Sequence, residues 1–316
     1  MKPTERSIYF YDLLPKAGSA ELENPKPISV AKFLKLIGEI EKKNRKQSRA
    51  NSVRTYEISD WKEEGNLVAF LFRMTDRSVA DPYFSDIEKD ERRKAAKVER
   101  EGQESSSHVV IQLPENPVDP AIMLIERTSG ITIPRVLMVL KLLLKKAKIK
   151  EPELFKQPPL DGAVVDGKPV MHDVNYWLDA EGHISDQLAE DLNKGSISEI
   201  ELITKRHREE PFDQDAYLVN EESIVVLKVN KKHQGYKDKF KKITGLLEEQ
   251  KDFEKARIRF VTAGGTTGNI DWDEENGISE QYLKKELIKN IQPPMESSYE
   301  VFRKDLLINM RLLIKI

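Results

Sequence analysis

The 316-residue chain contains no cysteine. This absence excludes disulfide bonds, thiolate nucleophiles and zinc sites built from cysteine. Histidine is scarce as well: there are five, and no two stand three or four positions apart, the spacing that places two imidazoles on one helix face. The sequence therefore predicts neither a bound metal nor a cofactor.

Long apolar runs are also missing. The longest apolar helical stretch, residues 136–144, carries Lys141 at its middle and is far shorter than the about 20 residues that a membrane span needs. Residues 1–6 lead directly into a predicted strand and contain no apolar signal-peptide core. We expect a soluble cytoplasmic protein with no direct membrane insertion.

A strong net charge of either sign is the third feature that the chain lacks. Charged residues make up 34% of the sequence, above the about 25% usual for globular domains, yet the formal net charge is only -2. A uniformly basic nucleic-acid binder is therefore excluded, and any basic surface has to be local.

Short runs of β-branched and aromatic residues dominate the first half of the chain. Residues 67–72, 108–113 and 121–125 are bounded by Gly, Pro and Asp, which is typical of strands in one sheet. The expected fold class is α+β, with a mixed, largely antiparallel sheet and packed helices. We expect an N-terminal α+β domain over residues 1–156, a linker over 157–169 that is rich in Pro and Gly, and a second α+β domain over 170–316.

Helix signals occur at two places in the first half. Ser29 is a candidate N-cap for a helix over residues 30–46. Thr132, with Pro134 in the first turn, favours a second helix to about residue 147, apolar enough to be buried in a domain interior or at a subunit interface. The charge-dense segment 86–104 is typical of an exposed helix or a loop.

The second half alternates between the two kinds of element. Strands are expected at residues 197–204, 223–229 and 256–262, and helices at 185–193, 237–255 and 280–290. The glycines of 264–268 follow a strand, as a phosphate loop does, but no Gly-Lys-Ser/Thr end is present and an acidic run comes next. We interpret them as a turn.

Candidate catalytic carboxylates lie near predicted strand ends. Asp76 and Glu126, with Lys228, are the set that a divergent metal-dependent nuclease would use. Strand-end capping by Asp76 and a buried ion pair at Glu126 explain the same sequence equally well, so both interpretations stay open here.

Basic residues form four clusters in spite of the low net charge. The densest is interleaved with Tyr236 and Phe240, and consists of Lys231, Lys232, Lys237, Lys239, Lys241 and Lys242. The next consists of Lys42, Lys43, Arg45, Lys46 and Arg49, and the other two span residues 145–150 and 205–208. Such segregation indicates a sequence-nonspecific nucleic-acid surface; cations at a helix C-terminus also suit the helix dipole.

The first 145 residues contain a series of different short motifs: Tyr9-Phe10-Tyr11, Ser29-Val30-Ala31-Lys32-Phe33-Leu34, Tyr56, Thr75-Asp76-Arg77-Ser78, Glu99-Arg100-Glu101-Gly102, residues 108–113 and residues 122–131. In this order they resemble the RexA-like phage-exclusion sensors of lambdoid prophages. They are also similar in outline to the KwaB component of the Kiwa defence system.

The resemblance implies a bacterial or prophage-encoded anti-phage defence protein. Such a protein would be a homodimer that binds DNA without sequence specificity and signals infection to a partner effector protein. The resemblance carries over no catalytic residues. Two alternatives remain: a divergent metal-dependent nuclease effector, and an interaction subunit that does not bind nucleic acid and uses residues 136–144 at its oligomer interface.

Overall fold

A computed structural model describes residues 2–49, 51, 53–117, 119–159, 162, 164–165, 168–183, 185, 196–204, 223–228, 253–261, 265–273, 277–278 and 283–314. The chain divides into two compact units. Unit 1 comprises Met1–Ala180 and Glu286–Ile316, and unit 2 comprises Glu181–Lys285. The linker expected at residues 157–169 thus falls inside unit 1, and unit 2 is an insertion rather than a C-terminal domain.

Three helices lie in the described residues: α1 Val30–Gly38, α2 Ile133–Lys150 and α3 Lys304–Ile314. Strands up to the second helix are β1 Arg6–Gly18, β2 Lys46–Arg49, β3 Arg54–Glu64, β4 Leu67–Asp76, β5 Tyr83–Asp86, β6 Glu91–Lys94, β7 Gln103–Gln112 and β8 Ala121–Glu126. The strands that follow are β9 Lys156–Gln157, β10 Val164–Val165, β11 Lys168–Pro169, β12 His172–Asp173, β13 Asn175–Gly182, β14 Ser196–Thr204, β15 Ser223–Leu227, β16 Lys255–Val261, β17 Thr267–Asp273, β18 Gly277–Ile278 and β19 Lys285–Ile288.

The eight-stranded sheet of unit 1 confirms the α+β class. Its order is β13-β1-β8-β7-β4-β3-β2, and β19 also pairs with β1. The five strand pairs from β1 to β2 are all antiparallel. In the strand register, four apolar residues on four adjacent strands pair in one row: Phe10, Leu124, Val110 and Ala69.

Both faces of this sheet are covered, because alternate strand residues point to opposite faces. The face that carries the Phe10 row packs against α3 and the chain before it, through residues such as Met295, Leu306 and Met310. The opposite face carries Phe70 and Phe72, both fully buried. This second layer of buried apolar residues explains why β4 is a continuous apolar run rather than an alternating one.

Helix α2 is a core helix of unit 1. Thr132 has the extended backbone of an N-cap, and a proline lies in the first turn, as the sequence predicts. Its buried residues are Val136, Val139, Leu140, Leu143, Leu144 and Ala147, and it packs on α1. The domain-interior alternative is therefore confirmed for this apolar face, which is covered within the chain.

Three expected helices or loops have a different structure. The helix expected over residues 30–46 ends at Gly38, where the ring of Trp61 and the carboxylate of Glu63 lie close, and residues 42–44 form a short 3-10 turn before β2. The segment 86–104 contains the tip and the second strand of the β5–β6 hairpin and the start of β7. Within 280–290, the described residues form β19 instead of a helix.

Unit 2 contains a five-stranded sheet of order β15-β14-β16-β17-β18. The strands expected near residues 197–204, 223–229 and 256–262 are confirmed by β14, β15 and β16. Gly265, with a φ of +82°, occupies the turn before β17. The helices expected at 185–193 and 237–255 fall almost wholly outside the described residues.

No helix within the described ranges combines the length and the apolar character needed to cross a lipid bilayer.

Candidate nucleic-acid interface

A buried ion pair joins the start of β1 to the end of β8. Arg6 Nε donates to Glu126 Oε1 at 2.8 Å, and Arg6 Nη1 donates to the carbonyls of Lys2 and Glu5 at 2.9 and 2.8 Å. The second oxygen, Glu126 Oε2, accepts from the backbone N–H of His108 at 3.1 Å and from its Nδ1 at 2.8 Å. Glu126 is thus a satisfied structural carboxylate.

The C-terminal strap, residues 295–303, is fastened to the same face of the sheet. Three backbone N–H groups of the strap donate to side chains of the sheet. The N–H of Arg303 donates to His108 Nε2 at 2.9 Å, that of Phe302 to Asp60 at 3.1 Å and that of Tyr299 to Ser106 at 2.9 Å. Buried polar side chains here position a segment of the chain.

Asp76 closes the end of β4. It accepts from Arg54 Nε at 2.7 Å, from the backbone N–H of Ser78 at 2.9 Å and from the Ser78 hydroxyl. Burial acts to raise the pKa of Asp76, but the hydrogen bonds from Ser78 and Arg54 outweigh it, so the pKa lies below its ordinary value. Strand-end capping, one of the two interpretations of this residue, is confirmed.

Within the described part of the chain, the candidate carboxylates of the nuclease alternative make structural contacts. Asp76 and Glu126 each have a cationic partner on a neighbouring strand, and Lys228 is an exposed residue of unit 2. Among the described residues, no group of three or more His, Asp or Glu side chains is placed to hold a metal ion.

The basic cluster of residues 42–49 lies at the edge of the sheet. Lys42, Lys43, Lys46 and Arg49 are exposed on the 3-10 turn and on edge strand β2. Arg45 differs from them: it is buried, with Nε donating to the Ile40 carbonyl at 2.7 Å and the guanidinium 5.2 Å from the ring of Trp61. Arg45 therefore holds the turn in place and is not available to a ligand.

Lys146 joins this cluster to a second one. Its ammonium donates to the carbonyls of Asn44 at 2.8 Å and Lys46 at 3.3 Å, which places the C-terminal turn of α2 against the 3-10 turn. Burial lowers the pKa of Lys146. We call the combined surface the basic patch and define it as Lys42, Lys43, Lys46, Arg49, Lys145, Lys146 and Lys150.

Most cations of the basic patch are exposed to solvent. Lys43 pairs with Glu41 at 3.0 Å, but both side chains are well exposed, and exposed pairs contribute about 0–1 kcal/mol. Lys145 and Lys150 are exposed at the end of α2. Such lysines also complement the helix dipole, so part of their charge has a structural role.

The other predicted basic residues are not placed. Lys231, Lys232, Lys237, Lys239, Lys241 and Lys242 lie outside the described residues, as does the cluster at 205–208.

The β5–β6 hairpin is a feature that the sequence reasoning missed. An open pocket of about 580 Å³ lies at its base, lined by Arg77, Asp81, Lys97, Glu99, Arg100 and Glu101. Three cations and three anions balance, so the pocket favours neither a phosphate nor a metal ion. The overlooked signal was the pair Tyr83-Phe84, an aromatic start to a strand inside a charge-dense segment.

Comparison with family models, with curated proteins and with solved structures finds no match to this chain.

Proposed function

We propose that the protein binds DNA without sequence specificity through the basic patch. The observation that carries this proposal is the contact of Lys146 with Asn44 and Lys46, because it joins two basic clusters that lie about a hundred residues apart in sequence. Four exposed cations of the turn and strand then adjoin the lysines of the helix end. A surface of this kind neutralises backbone phosphates.

The expected mode of contact follows from the residue types. Lysines on a turn, an edge strand and a helix end are point charges that reach phosphates and do not read base edges. Binding should then release counterions, with a salt slope of about -0.9 for each phosphate neutralised on duplex DNA. Little preference among unrelated duplexes is expected.

A wider role is proposed on the strength of the resemblance in residues 1–145. In that role the protein is a cytoplasmic homodimer of anti-phage defence that senses DNA during infection and signals to a partner effector. The basic patch supplies the DNA contact, and the effector is a second protein.

A duplex titration tests the DNA contact. Binding of unrelated duplexes is measured by gel shift at about 50 and 200 mM salt, the range over which phosphate contacts lose most of their affinity. The variant Lys42→Glu/Lys46→Glu/Arg49→Glu should bind at least about tenfold more weakly than the unaltered chain and show a shallower salt slope. Arg45 is left unchanged because its burial makes it structural.

The matched control reverses lysines elsewhere in unit 1. Lys289→Glu/Lys304→Glu changes two exposed lysines outside the basic patch and should leave affinity nearly unchanged. A parallel variant, Lys237→Glu/Lys239→Glu/Lys241→Glu/Lys242→Glu, reports on the cluster that lies outside the described residues. Full affinity in the Lys42→Glu/Lys46→Glu/Arg49→Glu variant, with lost affinity in the Lys237→Glu/Lys239→Glu/Lys241→Glu/Lys242→Glu variant, would reject the basic patch. The titration is repeated with magnesium, and degradation of the DNA there would favour the nuclease alternative.

A further inference from the structure

The β5–β6 hairpin forms a two-stranded sheet of its own. Tyr83 pairs with Lys94 and Asp86 with Glu91, and neither strand belongs to the eight-stranded sheet. An isolated two-stranded hairpin is at best marginally stable in water. We expect a hairpin of this kind to be stabilised by packing against another protein surface.

Apolar side chains are unusually exposed along this hairpin. Tyr83 and Phe84 are 53% and 52% exposed, and Ile87 at the tip is 93% exposed. Tyr83 and Phe84 are neighbours in a strand, so they lie on opposite faces. Both faces of the hairpin therefore present an aromatic ring to the outside, which is typical of interaction anchors.

The hairpin has a negative tip. Residues 86–91 contain four carboxylates and one lysine, a net charge of -3. Asp86 and Glu91 stand directly opposite each other in register, and like charges in that position are destabilising. Among the described residues, the tip has one ion pair, between Lys89 and Asp86 at 3.9 Å.

The hairpin has an equally positive stem. Arg92, Arg93 and Lys94 follow in succession, a net charge of +3. The first two stack on the hairpin's own rings, with the Arg92 guanidinium 4.0 Å from the centroid of Tyr83 and that of Arg93 4.9 Å from Phe84. Lys94 pairs with Asp81 at 2.9 Å. Two guanidinium groups thus lie over exposed aromatic rings.

We propose that this hairpin is an arm that docks on the same arm of a second copy of the chain, antiparallel and about a two-fold axis. In that arrangement each tip of net charge -3 meets Arg92 and Arg93 of the positive stem, twice per dimer, as two-fold symmetry requires. Arg93 of the partner subunit, which shares a face with Asp86 and Glu91 in its own hairpin, then weakens the repulsion between these two carboxylates. Ile87 and the aromatic ring on the docked face lose their contact with water.

Charge complementarity identifies the partner that binds the hairpin. A nucleic acid suits the stem but is repelled by the tip, and a basic protein suits the tip but is repelled by the stem. A second copy satisfies both ends at once. This inference does not rest on DNA binding, since it uses neither the basic patch nor any of its residues.

Charge exchange between the two ends provides the test. The tip variant Glu88→Lys/Glu91→Lys changes the net charge of the tip from -3 to +1, and the stem variant Arg92→Glu/Arg93→Glu changes the stem from +3 to -1. Molar mass is measured by sedimentation velocity over a concentration series, at low and at high salt. The full chain is used throughout.

The unaltered chain should dimerise, more weakly at high salt because exposed charges are screened. Each variant alone should self-associate at least about tenfold more weakly, because like charges then meet. An equimolar mixture of the two variants should recover a heterodimer, since each reversed end then faces its complement. The control Lys289→Glu/Lys304→Glu should dimerise as the unaltered chain does.

Three results would overturn the proposal. The first is an unaltered chain that stays monomeric at every concentration. The second is a mixture that fails to recover, which would mean that the variants only disturb the hairpin. The third is a stem variant that loses duplex binding without any change in mass, which would assign the stem to nucleic acid. Mass and duplex binding are measured separately, so this proposal and the proposed DNA contact fail independently. A monomer at every concentration would also remove the homodimer of the wider role.

Discussion

His108 Nε2 accepts a hydrogen bond from the backbone N–H of Arg303 at 2.9 Å, across 195 positions of sequence. The other ring nitrogen, Nδ1, lies 2.8 Å from Glu126 Oε2 and donates to that carboxylate. Because a backbone N–H can only donate, Nε2 acts as the acceptor and Nδ1 as the donor in these two contacts. The ring also packs against Tyr299 and Phe302, so one side chain joins the sheet to the strap.

Replacing His108 by alanine should loosen the strap before the rest of unit 1. The Arg303 N–H loses its acceptor and the rings of Tyr299 and Phe302 lose a packing partner, so amide hydrogen exchange over residues 299–303 should accelerate by at least about tenfold. Mass spectrometry of peptic peptides measures this change. Ser48→Ala, which removes an exposed hydroxyl contact with Thr55, is the control, and equal exchange in both variants would contradict the assignment.

Arg6→Met should be strongly destabilising. The substitution leaves the carboxylate of Glu126 buried, with its ion-pair partner removed, which costs about 3–5 kcal/mol of unfolding free energy. Urea denaturation followed by circular dichroism measures the loss. Lys43→Met, at the exposed pair with Glu41, should cost less than about 1 kcal/mol. Similar losses of unfolding free energy in the two variants would show that the buried ion pair contributes no more than the exposed one.

Asp76→Asn should reduce stability at neutral pH and remove part of its acid dependence. Because hydrogen bonds hold the pKa of Asp76 below its ordinary value, the ionised carboxylate stabilises the folded state at pH values above the unfolded pKa of about 3.9. That stabilisation is lost as the pH falls through and below this value. The difference in unfolding free energy between the two proteins should therefore be largest near pH 7 and shrink in acid. A difference in unfolding free energy that grows on acidification would contradict a stabilising role of the ionised carboxylate.

Gly102 lies where the chain approaches the end of β4 closely. A Cβ atom there would stand 2.9 Å from the backbone carbon and oxygen of Asp76 and 2.8 Å from the Thr75 methyl group. Gly102→Ala should therefore cost about 1–3 kcal/mol, since backbone has to move. Gly65→Asn is the control, because nothing lies within 4 Å of that position and asparagine tolerates its positive φ. Thermal denaturation compares the two variants.

The main sheet and helix α2 could be predicted because their signals are local. Apolar runs bounded by turn residues mark β4, β7 and β8, and Thr132 with Pro134 marks the start of α2. The candidate interface was predicted in part. Lys42, Lys43, Lys46 and Arg49 are exposed as expected, but their contact with Lys146 depends on tertiary packing that no sequence window contains.

The errors arise where tertiary contacts override local pattern. Arg45 belongs to a basic run, yet the carbonyls at the end of α1 and the ring of Trp61 draw it inward. The helix expected to continue to residue 46 stops at Gly38, where the ring of Trp61 lies close to the backbone. The charge density of segment 86–104 concealed β6, in which Lys94 and Arg93 pair with Tyr83 and Phe84 just before the segment.

The discontinuity of unit 1 has a consequence for synthesis on the ribosome. The row of Phe10, Leu124, Val110 and Ala69 is covered by Met295, Leu306 and Met310, which are translated only after all of unit 2, Glu181–Lys285. At about 5–20 residues per second, this apolar face stays uncovered while the whole insertion emerges. In the nascent chain, this apolar row therefore stays exposed to solvent until helix α3 has been synthesised.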